Sequence, residues 1–98
     1  MFIQFVRDPK TNQRRGIVAG VEDHDRKTVH IGWSYTNIDA GDSFNRDFGL
    51  RVAIGRANKL KTVARAPDVV KPIIERVKLR INKALPEYSI EEVETKAD

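Results

Sequence analysis

The sequence predicts a small α+β domain: a three-stranded antiparallel β-meander packed by two α-helices, followed by a disordered acidic C-terminal tail. Three observations carry this. Short apolar stretches separated by turn-forming residues fill the first third of the chain, two helical periodicities occupy the middle, and the last dozen residues are polar and acidic. A chain of 98 residues builds one core rather than two, so residues 1–86 are assigned to a single domain and 87–98 to the tail.

Phe2-Ile3-Gln4-Phe5-Val6 reads as the first strand, stopped at Asp8-Pro9 because proline has no N–H for a ladder. Gly16 to Val21 is the second, with glycines that mark a bulge or a close backbone approach. Glu22 to Lys27 is a charged hairpin turn. Thr28 to Tyr35 is the clearest strand, with Val29, Ile31, Trp33 and Tyr35 on one face and Thr28, His30, Gly32 and Ser34 on the other. Trp33 is expected in the core beneath a helix, and stacking of Trp33 and Tyr35 on bases is the alternative.

Ser43 or Asn45 can cap a first helix running to about Leu60. Its Gly49, Leu50, Ala53, Ile54, Ala57 and Leu60 share one arc, and the small residues spaced by four permit close packing. Phe48 and Val52 lie on the opposite side. They are expected to be covered within the fold, the alternative being contact with another chain. A second helix starts near Pro72 and runs to about Leu85, with Ile73, Ile74, Val77, Ile81, Ala84 and Leu85 on its apolar face. Arg76, Arg80 and Lys83 form a second stripe, with Leu79 exposed beside them.

The net charge of +4 is unevenly spread. Residues 1–45 are neutral, residues 46–83 hold eleven Lys/Arg against three acids, and Pro86 to Asp98 holds five acids against one lysine. The basic centre points to an anionic partner. Three cations at i, i+4 and i+7 can follow a row of phosphates, and nothing in the pattern reads bases. Nucleic acid is therefore the leading partner, bound largely without regard to sequence by Arg76, Arg80, Lys83, Lys59, Lys61 and Arg65. The acidic tail is placed to compete for the same face.

Chemistry of other kinds lacks its residues. With no cysteine there is no disulfide framework, thiol catalysis or Cys-ligated metal. His24 lies in the Asp23-His24-Asp25 turn and His30 stands alone on a strand, so no metal-ligand spacing arises. Asp39 and Asp42 flank Gly41 as turn residues do. Ser34 and Ser43 have no adjacent base, and no phosphate loop or dinucleotide fingerprint occurs. The expectation is a protein that is not an enzyme, has no cofactor, and has neither a membrane span nor a signal peptide.

The stretch Gly32-Trp33-Ser34, Asp42-Ser43-Phe44-Asn45-Arg46 and Gly49-Leu50-Arg51-Val52-Ala53-Ile54-Gly55-Arg56-Ala57 resembles a family of small tailed-bacteriophage proteins. Their pattern is Gly-Trp-Ser, then Asp-x-Phe-x-Arg/Lys, then Gly-x-x-Ile-Ala-x-Gly-Arg-Ala. Arg7-Asp8 and Gly16 to Ala19 are similar to the family's opening, and the resemblance covers roughly residues 2–60. Val52 replaces the usual isoleucine, and Thr36 a frequent cysteine. The resemblance implies a phage accessory protein acting in the host bacterial cytoplasm, without supplying a mechanism. Within the motif, Phe44 and Asp42 serve the helix start. Arg46, Arg51 and Arg56 point in different directions, with Arg56 the expected internal partner of Asp42 or Asp39.

Two other functions stay open. One is inhibition of a host protein through Leu79, Phe48 and Val52 as apolar anchors. The other is capture of a small phosphorylated nucleotide in an arginine-lined pocket of a homo-oligomer.

Overall fold

The computed structural model describes residues 1–36, 43–59 and 65–91. Strands β1 (Phe2–Arg7), β2 (Arg14–Asp23) and β3 (Thr28–Tyr35) are followed by helices α1 (Arg46–Lys59) and α2 (Lys71–Ala84) and a short strand β4 (Ser89–Glu91). The sheet order is β1-β2-β3-β4. The first three strands form the expected antiparallel meander, with Phe5 opposite Ile17 and Val18 opposite Trp33.

The expected three-stranded, all-antiparallel sheet is corrected by β4, which pairs parallel to β3 from Thr28↔Ser89 to His30↔Glu91. Part of the segment read as a disordered tail is therefore sheet. Its anchors lie outside the strand as much as within it. Leu85, Tyr88 and Ile90 pack on the main core, Tyr88 Oη lies 2.6 Å from His24 Nδ1, and the Ser89 N–H donates to the Lys27 carbonyl. Residues 92–98 lie outside the described residues.

Local chemistry sets the turns. Asp8 Oδ1 accepts from the Lys10 N–H at 2.7 Å, and Asn12 takes a left-handed φ of 63°, which its short polar side chain tolerates. In the β2–β3 turn, Asp23 Oδ1 accepts from the N–H groups of Asp25 and Arg26.

The helices cover opposite faces of the sheet. Ile74, Val77 and Ile81 of α2 are buried with Val6, Val18, Val29 and Ile31. On the other face, Ala53 of α1 packs with Ile17 and Ala19, and Ile3, Phe5, Phe44, Leu50 and Ile54 close around them. The approach of α1 to β3 depends on Gly32, where a Cβ would overlap the Ala53 carbonyl oxygen and the Ala57 amide nitrogen. Asn45 caps α1, its Oδ1 accepting the Phe48 N–H at 2.9 Å. Pro72 sits in the first turn of α2, as expected.

This two-sided arrangement corrects the expectation for Phe48 and Val52. Since α2 lies across the sheet, it does not cover them; Phe48 is 62% exposed and Val52 half-buried. Trp33 is half-buried and packs against the α2-side core. No helix among the described residues is long and apolar enough to cross a membrane.

Candidate functional site

The outer face of α2 follows from the inner one. Burying Ile74, Val77 and Ile81 turns Arg76, Leu79, Arg80 and Lys83 outward, and all four are exposed. Arg76 and Lys83 meet no carboxylate among the described residues. Arg80 is partly committed to the fold: its Nη1 donates to the Ile3 carbonyl at 3.1 Å and to Gln4 Oε1 at 3.3 Å, and its guanidinium lies 5.9 Å from the Phe2 ring. Lys78, one position before Leu79, is neutralised by Glu75 at 3.1 Å.

The remaining basic candidates do not all join this stripe. Lys59 ends α1, the helix on the other face of the sheet, and nothing is described of its side chain. Lys61 lies outside the described residues. Arg65 is exposed just before the buried Ala66, and has no ion pair among the described residues.

The motif arginines also separate. Arg46 makes an exposed contact with its neighbour Asp47, and Arg51 is exposed. Arg56 is tied to β3. Its Nη1 donates to the Trp33 carbonyl at 3.0 Å, and its guanidinium carbon lies 4.1 Å from the indole centroid. Burial lowers its pKa below the usual arginine value, while the group stays a cation. Asp39 and Asp42 lie outside the described residues.

A cavity of about 500 Å³ opens beside Arg56, between the end of β3 and the first half of α1. Ser34, Thr36, Asn45, Phe48 and Val52 are among its other lining residues. Ser34 is 6% exposed, and its buried Oγ has no hydrogen-bond partner among the described residues. An unspent buried hydroxyl costs about 1–3 kcal/mol. Sequence reasoning treated Ser34 only as a nucleophile without a base. The alternation of β3 did place it on the polar face, but its isolation depends on Gly49 standing over it.

A second cavity, about 410 Å³, lies at the β2–β3 turn and includes Asp23, His24, Asp25 and His30. These residues do not converge as ligands: among the described residues no group of three or more His, Asp or Glu side chains could hold a metal ion. Comparison with protein-family models, with curated proteins and with solved structures gives no match to this chain.

Proposed function

We propose that the protein binds nucleic acid through the outer face of α2, without catalysis and largely without sequence preference, as an accessory protein of a phage inside its bacterial host. The observation that carries the reading is the pair Arg76 and Lys83, exposed two helical turns apart with no carboxylate against either among the described residues. Residues i and i+7 share a helix face about 10.5 Å apart along the axis, a span that reaches successive phosphates. The outward part of Arg80 stands between them. Contacts of this kind neutralise phosphate and release counterions, which gives affinity but carries no base information.

The test is fluorescence anisotropy of labelled single- and double-stranded oligonucleotides against salt concentration. Three phosphate contacts predict a log–log slope of about −3 on duplex DNA, steeper where Lys59, Lys61 and Arg65 also engage. The double reversal Arg76→Glu, Lys83→Glu should cut affinity at least about tenfold at low salt. Absence of binding, or binding indifferent to salt, overturns the reading. Residues 92–98 hold three acids and one lysine, so truncation after Glu91 removes negative charge while keeping β4. It should tighten binding at low salt.

A second reading is a protein partner, favoured by the exposure of Phe48 and of Leu79, 62% and 69%. Large apolar side chains left on a surface are the usual anchors of such contacts.

A further inference from the structure

The cavity beside Arg56 lies on the α1 side of the sheet, away from the α2 stripe, and its described lining carries charge of one sign. Arg56 contributes a cation, α1 contributes its positively polarised first turn, and no Asp or Glu is among the described lining residues. Ser34 adds a hydroxyl that no described residue hydrogen-bonds. Gly49 lies close against that hydroxyl, where a Cβ would come within 3.2 Å of Ser34 Oγ. Phe48 and Val52 supply an apolar wall.

We infer that this cavity binds a small anion with a flat apolar body, the class to which nucleoside monophosphates belong. The acidic group meets Ser34 Oγ, the Arg56 guanidinium and the first turn of α1, and the ring lies against Phe48 and Val52. A volume of about 500 Å³ suits a molecule of that size. Arg56 spends one of its five N–H donors on the Trp33 carbonyl, which leaves donors for a ligand. The same bond covers the strand-edge acceptor that an added peptide strand would need, so a small molecule fits better than an extended peptide.

The experiment is a titration of the ¹⁵N-labelled full chain with adenosine monophosphate and guanosine monophosphate, and separately with inorganic phosphate and adenosine. Saturable shifts at the amides of Ser34, Phe48 and Gly49 are expected with the monophosphates. Phosphate alone and adenosine alone should bind at least about tenfold more weakly, because each lacks half of the contacts. Ser34→Ala should weaken the monophosphates about fivefold or more while leaving the thermal midpoint at or above that of the parent, since the hydroxyl has no partner among the described residues. Phe48→Ala, at an exposed position, should weaken the monophosphates and leave phosphate unchanged. Shifts confined to Arg76 and Lys83, equal binding of phosphate, affinity unaltered by Ser34→Ala, or no saturable shift would each overturn the proposal. Oligonucleotide binding on α2 can fail or succeed independently of every one of these outcomes.

Discussion

Arg56 of α1 lies over the indole of Trp33, 4.1 Å from its centroid, and donates to the carbonyl of the same residue at 3.0 Å. The contact sits where β3 runs on past β4, whose pairing ends at His30. Arg80 of α2 repeats the arrangement at the opposite edge, donating to the Ile3 carbonyl of β1 and lying near the ring of Phe2. Each covering helix thus sends one arginine to a strand edge, on β3 beyond β4 and on β1, where it takes up a backbone acceptor. Part of the basic character of the helices is therefore structural.

Arg56→Ala should destabilise the fold by about 1–2 kcal/mol, from a lost cation–π contact and a lost charge-assisted hydrogen bond. Arg56→Lys should recover less than half, since an ammonium cannot stack flat on the indole and reach the carbonyl together. Urea denaturation of the three proteins reads this directly, and equal stability of the lysine variant and the parent would show that charge alone matters.

Two glycines in the α1–β3 region should respond in opposite senses. Gly32→Ala drives a methyl into the Ala53 carbonyl and the Ala57 amide, backbone atoms that cannot rotate away. A loss of about 3 kcal/mol is expected, at the upper end for overpacking. Gly55 meets nothing within 4 Å of its would-be Cβ and lies inside α1, so Gly55→Ala should stabilise by about 0.5–1 kcal/mol. Chemical denaturation of both variants tests whether α1 is seated at the depth described.

Acid should weaken the β1–β2 turn. The Lys10 N–H, followed by the Arg15 guanidinium, holds the Asp8 carboxyl below its ordinary value of 3.8. The unfolded chain then binds more protons than the folded one as pH falls below that ordinary value. The contribution of Asp8 is complete above it and disappears as pH drops through the lowered folded value. Asp8→Asn should therefore lower the melting temperature at about pH 6 and converge on the parent near about pH 2. Parallel melting curves across that range would remove Asp8 from the acid response.

Much of the architecture was legible in residue patterns. Alternation over Thr28–Tyr35 located β3 and its two faces, and the Ile74/Val77/Ile81 spacing located the buried side of α2. What escaped was of a different kind. Strand β4 has one apolar residue among three, so its pairing derives from the free edge of β3 and from Tyr88 and Leu85 packing nearby rather than from its own hydrophobicity. The carbonyl that Arg56 bonds on Trp33 is an acceptor every residue carries, and side-chain identity cannot single one out. A second helix following Phe48 suggests a cover for it, but helix order along the chain does not decide which face of a sheet each helix takes.

Leu79→Asp and Phe48→Asp separate the two readings of the surface. Both side chains are more than half exposed, so each change should alter folding stability by no more than about 0.5 kcal/mol. Any larger effect on association then belongs to the interface. Leu79 stands within the Arg76/Arg80/Lys83 stripe, so a carboxylate there removes one unit of net positive charge where phosphates would lie. Leu79→Asp should weaken oligonucleotide binding severalfold at low salt, and that difference should shrink as salt rises. Phe48 lies on the other helix and the other side of the sheet, so Phe48→Asp should leave oligonucleotide affinity within about twofold of the parent. An apolar protein interface behaves differently: its loss on Leu79→Asp or Phe48→Asp persists at high salt, because desolvation of a buried carboxylate is not screened. Anisotropy titrations of both variants at two salt concentrations, alongside equilibrium unfolding, therefore distinguish a phosphate-tracking helix from an apolar docking surface.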